Sequence, residues 1–148
     1  MMRALIKVLG FILPATALTL GFALPGGGAP GSENVTIVAG QFDPKEVTVE
    51  VGDEVTWTNK DDDKVHSVTA DDGSFDSSPE CSNANPGKCL DDRHEFTHTF
   101  TVEGRFPYYS RTSGAPGGQG TAGTVVVVPV GTPVPDEPPP TTTTTFAP

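Results

Sequence analysis

The stretch that decides the fold is EVTVEVGDEVTWTN, residues 46–59. Within it, polar and apolar residues alternate on both sides of the pair Gly52-Asp53, which is typical of a turn. Alternation with a period of two is typical of β-strands that bury one face. The stretch therefore predicts two strands joined by a turn, with these side chains pointing inward: Val47, Val49, Val51, Val55 and Trp57.

The same pattern recurs along the chain. Val35 and Ile37 mark an earlier strand, and no stretch between the strands has a helical period. Short β-branched strands that are separated by Gly, Asp and Asn turns are typical of an all-β, Greek-key β-sandwich. Four further segments complete the predicted strands: KVHSVTA (64–70), EFTHTFTV (95–102), RFPYYS (105–110) and GTVVVVPV (123–130).

The first residues have the features of an export signal. Arg3 and Lys7 precede an uncharged run over 8–24, and Ala23 offers a small-residue cleavage site. The alternative is an uncleaved membrane anchor, because the run is close to the lower limit of about 17 residues for a spanning helix. We expect a cleaved signal peptide, residues 1–23, and hence a secreted or extracytoplasmic protein, in the periplasm or at the cell surface.

The rest of the chain divides by composition. Residues 24–32 are rich in Gly and Pro and predict a flexible spacer, and residues 33–130 form one predicted domain. Residues 131–148, GTPVPDEPPPTTTTTFAP, predict a disordered, Pro/Thr-rich tail, because such a composition cannot build a packed core. Asn34-Val35-Thr36 matches the glycosylation sequon, which matters only in a host that modifies it.

The charge limits the possible partners. The chain has 9 basic and 19 acidic residues, and loss of Arg3 and Lys7 leaves 7 basic residues and a net charge of −12. Nucleic acid and anionic membranes would repel such a protein, so we expect a protein partner with a basic patch. The acidic residues are most simply a solvated surface around the loops, and the alternative is a docking face: Asp61–Asp63, Asp71, Asp72, Asp76, Asp91 and Asp92.

Cys81 and Cys89 are the only cysteines of the chain. An even number of cysteines in an exported protein favours a disulfide. The alternative is a thiolate metal site that includes His94 or His98. We expect the disulfide, because an exposed pair of thiols would oxidise outside the cell.

HEFTH, residues 94–98, matches the zinc-protease motif, which requires a helix to bring both histidines to one metal ion. The alternation that follows predicts a strand instead, and a strand would hold the two imidazoles about 13 Å apart. His98 then faces the same side as Phe96, Phe100 and Val102, as a packed and hydrogen-bonded histidine. We therefore expect no protease and no other enzymatic activity.

Three quoted stretches together resemble the plastocyanin-like blue copper (cupredoxin) family. They are FDPKEVTVEVGDEVTWTN (42–59), VHSVTA (65–70) and GRFPYYS with GAPGGQGTAGTVVVV (104–128), and the resemblance covers about residues 34–130. The resemblance implies a Greek-key β-sandwich with one copper ion at one end, used for electron transfer. The family ligands are a His after the third strand, and a Cys, a His and a Met on the long, glycine-rich loop that joins the last two strands.

Transferred residue by residue, the resemblance places the first ligand on His66. The spacing C-x2-H-x7-M is preserved, but it falls on Ser110, Ser113 and Thr121. Ser67 occupies a position whose backbone amide donates to the ligand sulfur in the family. Apart from the resemblance, His66 is most simply a surface or rim histidine, and the three hydroxyls satisfy backbone groups in a glycine-rich loop.

These substitutions predict the function. Type 1 copper needs two imidazoles, a thiolate and a weak axial thioether, and only one imidazole remains here. We expect no cofactor, although copper is the family cofactor, and we expect a non-redox binding or surface module. The alternative is a copper-binding electron carrier that uses His66 and ligands from outside the family pattern.

Overall fold

The structure is a computed structural model that describes residues 29–133. The predicted signal peptide over 1–23 and most of the predicted tail, 134–148, lie outside the described residues. None of the helices in the described part of the chain is long and apolar enough to cross a membrane.

Within the described residues, eight strands form two four-stranded sheets. In the first sheet the strand order is β2-β1-β4-β6, and in the second it is β3-β8-β7-β5. Both sheets are mixed, because β1 pairs with β4 and β3 pairs with β8 in parallel, while the other pairs are antiparallel. The predicted all-β sandwich is confirmed. The strands are β1 (Ser32–Val38), β2 (Gln41–Asp43), β3 (Glu46–Glu50), β4 (Glu54–Asn59), β5 (Thr69–Ala70), β6 (Glu95–Thr99), β7 (Gly104–Ala115) and β8 (Gln119–Val128).

The core lies between the sheets and is centred on Trp57, which is fully buried. Its ring lies 5.3 Å from Tyr108 of the opposite sheet, 5.6 Å from Phe75 and 5.7 Å from Phe96, between ring centroids. Aromatic side chains bury large apolar areas, so this cluster joins the two sheets. The alternating residues of the stretch 46–59 supply much of the remaining core, as predicted, with Val51 half-buried at its margin.

The strand predicted over 64–70 is wrong in its extent, because only Thr69–Ala70 forms a strand. Before it, the His66 amide donates to the Leu90 carbonyl (3.1 Å) and the Leu90 amide to the His66 carbonyl (2.8 Å), which makes an isolated bridge. The Val68 amide donates to the Ser77 hydroxyl rather than to a neighbouring strand. Loop partners therefore replace strand pairing in this segment.

The glycine-rich segment after Tyr109 is not a long loop, contrary to the sequence prediction. β7 and β8 continue into it and are joined by a turn over 116–118. The strand register shifts between Tyr109 and Gly114, so residues 110–113 bulge out of the ladder. Gly114 then pairs with Gly120, and a Cβ atom on Gly120 would collide with the backbone oxygen of Ser113. The glycines permit this close approach of the two strands.

Cys81 and Cys89 form the predicted disulfide. The loop that it closes contains one 3₁₀ turn, Pro86–Lys88, and packs beside the bulge of β7. The Asn83 side-chain amide donates to the Thr112 carbonyl (3.2 Å), and the sulfur of Cys81 lies 3.8 Å from the His66 carbonyl oxygen. The cross-linked loop therefore flanks the segment that contains His66.

The segment of the HEFTH motif is a strand, as predicted. His94 is exposed and precedes β6, whereas His98 lies on β6, half-buried. The His98 ring packs 4.9 Å from Phe75 and 4.9 Å from Phe100, between centroids, which confirms the predicted packing. The expected hydrogen bond is wrong, because none of the hydrogen bonds between described residues involves this ring. Burial lowers the pKa of His98, because a low-dielectric environment disfavours the charged imidazolium.

Candidate functional site

The fold brings three of the four candidate site residues into contact. His66 lies just before β5, while Ser110 and Ser113 lie in the bulge of β7. The Nδ1 atom of His66 lies 3.2 Å from the Ser110 hydroxyl oxygen and 3.3 Å from that of Ser113. The bulge is what turns both hydroxyls toward the imidazole.

His66 is not a surface or rim histidine, contrary to the expectation from its residue type alone. Its exposed fraction is 1%, and its backbone is fixed by the bridge to Leu90. Its second nitrogen, Nε2, lies 3.0 Å from the Asp61 carboxylate. A buried imidazole needs polar partners for its nitrogens, and here both nitrogens have them.

Asp61 is the site residue that the sequence analysis missed. Besides His66, its carboxylate accepts hydrogen bonds from the backbone amides of Ala39 (2.7 Å) and Gly40 (2.7 Å), in the turn between β1 and β2. Partial burial raises the pKa of Asp61, but the hydrogen bonds from Gly40, His66 and Ala39 outweigh burial and hold the pKa below its ordinary value. The carboxylate is therefore ionised at neutral pH. The one sequence signal for its role is its position five residues before His66. That signal does not distinguish it from its neighbours in the run Asp61–Asp63.

The Ser110 hydroxyl is fully buried and has three neighbours. It accepts from the Ser67 backbone amide (3.2 Å), contacts His66, and lies 3.0 Å from the Thr112 hydroxyl. The Thr112 hydroxyl in turn donates to the Val65 carbonyl (2.7 Å). Hydroxyl groups thus form a continuous hydrogen-bond network at the position that the resemblance assigns to the thiolate.

Thr121 lies on β8 and is 3% exposed. Its hydroxyl donates to the Gly40 carbonyl at 2.5 Å, and it makes no hydrogen bond to His66. Because the amide of Gly40 donates to Asp61, the turn between β1 and β2 connects Thr121 with the His66 site. The fourth candidate therefore belongs to the same end of the sandwich without touching the imidazole.

Arg111 fixes the outer side of the bulge. Its backbone amide donates to the Ser67 hydroxyl (2.9 Å), and its guanidinium donates to the Thr69 hydroxyl (3.2 Å) and forms a short ion pair with Asp76. These contacts hold the backbone between Ser110 and Ser113 against the segment that follows His66. Asp76 was predicted from the sequence to be part of a solvated acidic surface or of a docking face, and neither prediction includes this ion pair.

Some of the acidic surface residues accept hydrogen bonds from backbone amides in the loops. The Asp71 carboxylate accepts from the Gly117 amide (2.7 Å) at the tip of the β7–β8 hairpin, and Asp72 accepts from the Ser74 amide (2.9 Å). The hydrogen bond to Ser74, whose backbone and side chain both contribute, lowers the pKa of Asp72. Of the predicted acidic set, Asp62, Asp63, Asp72 and Asp91 are exposed, so they are the members that a partner reaches most readily.

Among residues 29–133, no three His, Cys, Asp or Glu side chains are grouped so that they could hold a metal ion. Around His66, the nearest side-chain atoms are one carboxylate and two hydroxyls. The Asp61 carboxylate and the hydroxyls lie at opposite nitrogens of the ring.

The chain belongs to the plastocyanin/azurin family of copper binding proteins, whose sequence pattern matches residues 32–128. This match and the sandwich confirm the cupredoxin resemblance. No curated protein sequence matches the chain. Among solved structures it is similar to a purple cupredoxin from Nitrosopumilus maritimus, with 24% identity over 65% of this chain and 99% of that one and a TM-score of 0.48.

Two further structures are similar. An oxidized methionine-to-leucine mutant of amicyanin is 25% identical over 69% of this chain and 87% of that one, with a TM-score of 0.49. A copper-containing nitrite reductase from Thermus scotoductus is 19% identical and has a TM-score of 0.52. The match to the reductase covers 71% of this chain but only 25% of the enzyme, so it concerns the fold alone.

Proposed function

We propose that this chain is an exported cupredoxin domain that has lost type 1 copper binding and acts as a non-redox binding or surface module. The observation that carries the proposal is the environment of His66 Nδ1. Nε2 faces Asp61, so Nδ1 is the nitrogen left for a metal ion, and it faces the hydroxyls of Ser110 and Ser113. These are the two positions that the resemblance assigns to the thiolate and the second imidazole.

The donor set does not fit type 1 copper. A serine hydroxyl stays protonated near neutral pH and is a poor donor to Cu(I), which prefers thiolates and thioethers. Thr121 replaces the soft axial donor with a hydroxyl that is already bonded to Gly40. One imidazole nitrogen remains, and a single monodentate ligand does not retain copper against other chelators.

The proposed module needs no catalytic activity and acts through its surface. The mature charge of −12, with exposed carboxylates at Asp62, Asp63 and Asp91, favours a partner with a basic patch. The predicted export signal places the domain in the periplasm or at the cell surface. The hydrogen bonds around His66 replace the metal as the link between the bulge of β7 and the β1–β2 turn.

Copper binding by the purified protein tests the proposal. We expect no blue absorption band, no stoichiometric copper after dialysis against a mild chelator, and no reversible redox wave. Stoichiometric, redox-active copper that disappears in His66→Ala would overturn the proposal and favour the electron carrier that uses His66 with non-family ligands.

A variant that carries the family ligands tests whether the backbone around His66 still has the geometry of the family copper site. Ser110→Cys, Ser113→His and Thr121→Met together should produce a thiolate-to-copper absorption, because the backbone already brings positions 110 and 113 to His66. The matched control carries Ser113→His and Thr121→Met alone and should stay colourless, since it lacks the thiolate. A colourless triple variant with native β-structure would show that the bulge no longer has the family geometry.

A further inference from the structure

The hydrogen bonds around His66 determine which serine hydroxyl can donate its proton to Nδ1. The Thr112 hydroxyl gives its only proton to the Val65 carbonyl, which can only accept. The Thr112 oxygen is therefore an acceptor for the proton of Ser110, which lies 3.0 Å away. With the Ser110 proton directed to Thr112, the lone pair of His66 Nδ1 is available to the hydroxyl of Ser113, at 3.3 Å.

The other side of the imidazole is set by Asp61. A carboxylate only accepts hydrogen bonds, so Nε2 carries the ring proton in the neutral tautomer, and Nδ1 of that tautomer carries the lone pair. Two backbone amides hold the carboxylate in place, and its exposed fraction is 13%. The result is a serine hydroxyl, an imidazole and a carboxylate in series, which is the order of groups that activates a serine nucleophile.

Exposure distinguishes Ser113 from Ser110. Ser110 and His66 are buried, at 0% and 1%, whereas Ser113 lies exposed in the bulge of β7. An outside molecule can therefore reach the Ser113 hydroxyl, while its base is shielded from water. We infer that Ser113 is a nucleophile toward carboxylic esters, with His66 as its general base and Asp61 as the positioning residue. This inference goes beyond the proposed binding module and gives the chain a reactivity that the sequence argued against.

The reaction needs no cofactor. The Ser113 oxygen attacks the ester carbonyl carbon while its proton passes to His66 Nδ1, and the Asp61 carboxylate offsets the charge of the imidazolium. The tetrahedral intermediate then breaks its bond to the alkoxy oxygen, and the alcohol leaves with the proton from Nδ1. Water attacks the acyl-serine with His66 again as base, and this step releases the carboxylic acid and restores the serine.

A fluorophosphonate probe on the full-length protein tests the nucleophile. We expect one adduct by intact mass, located at Ser113 by peptide mapping, together with hydrolysis of p-nitrophenyl acetate. Ser113→Ala and His66→Gln should each reduce the labelling rate by about 100-fold or more, because either change removes the nucleophile or its base. The matched control is Ser74→Ala, an exposed serine outside the network, which should label like the wild type.

The protonation state of the ring gives a second test, made on the wild-type protein. The ¹⁵N chemical shifts of His66 in the wild-type protein should show a proton on Nε2 and no proton on Nδ1.

The variant Asp61→Asn gives a third test. It should slow labelling of Ser113 about tenfold or more, because it removes the charge that offsets the imidazolium. A proton on Nδ1, no adduct at Ser113, or an adduct that survives His66→Gln would each overturn the inference. The inference rests on the proposed loss of copper, because a copper ion on Nδ1 would occupy the lone pair that the base needs. Copper analysis of the same sample separates the two failures: metal-free protein without an adduct overturns only the nucleophile, whereas stoichiometric copper overturns the proposed function.

Discussion

The two buried or half-buried histidines of this domain show two ways of holding an imidazole. Both nitrogens of His66 have polar partners: Asp61 on one side, Ser110 and Ser113 on the other. His98 packs instead between the rings of Phe75 and Phe100, and none of the hydrogen bonds between described residues involves its ring. Hydrogen bonds fix which nitrogen of His66 carries the proton, whereas ring packing fixes only the plane of His98.

The difference shows what each region contributes. The region around His98 belongs to the aromatic cluster that joins the sheets, so it should dominate the free energy of unfolding. The region around His66 joins loops that are far apart in sequence, so it should determine the geometry of the site at a smaller cost in stability. Mutations in the two regions should therefore separate stability from site geometry.

The largest effect is expected for Phe75→Ala, in the aromatic cluster. Phe75 is 5% exposed and packs on Trp57, Phe100 and His98, so truncation leaves a cavity. We expect a loss of about 3–5 kcal/mol in the free energy of unfolding. Urea unfolding measures it, with Phe75→Leu as the milder control. A loss below about 1 kcal/mol would show that the cluster does not hold the sheets together.

A smaller loss is expected when Cys81 and Cys89 are both changed to Ser. The disulfide closes a short loop, with a sequence separation of 8, so its removal should cost about 2–3 kcal/mol through the entropy of the unfolded chain. The same unfolding measurement on the variant gives the cost. Thiol titration of the unfolded, unreduced wild-type protein should find no free cysteine, and two free thiols would contradict the disulfide.

Asp61→Ala should cost less, about 1–2 kcal/mol, because it leaves the Gly40 amide and the His66 ring without their acceptor. The loss in the free energy of unfolding stays small because Ala39 is exposed, so water can replace the hydrogen bond from its amide to Asp61. Asp62→Ala, an exposed neighbour, is the control and should change stability little. Equal losses in both variants would mean that Asp61 contributes only its charge.

The smallest effect is the pH dependence that His98 contributes. Burial lowers its pKa below the ordinary value of 6.5 in the folded state, so the unfolded chain binds a proton more readily. Stability from this group is therefore present above about pH 6.5 and is lost as the pH falls through the folded pKa. We expect His98→Gln to reduce the loss of stability between about pH 7.5 and 5.5. If the free energy of unfolding of His98→Gln had the same pH dependence as that of the wild type, groups other than His98 would be responsible for it.

The sandwich and its core could be predicted from the chain because alternation reports which face of a strand is buried. Val35, Ile37, Val55 and Trp57 are all fully buried, as their spacing indicates. The disulfide was predictable for a different reason, since the chain has two cysteines and these allow one intramolecular pairing. The spacing of Ser110, Ser113 and Thr121 also predicts that these residues stand at the family ligand positions.

Several features of the site depend on contacts between distant segments, and no local pattern reports them. His66 is buried because the loop before Leu90 pairs with its backbone, and Asp61 reaches Ala39, 22 residues earlier in the chain. The register shift after Tyr109 decides that Ser110 is buried while Ser113 is exposed, although both are serines in the same segment. The sequence by itself determined the β-sandwich, which follows from alternation, and the absence of a thiolate or thioether side chain at positions 110, 113 and 121, which follows from residue identity. Only the tertiary structure decided which nitrogen of His66 faces the two hydroxyls and which faces Asp61, because that depends on how separate segments of the chain meet at one end of the sandwich.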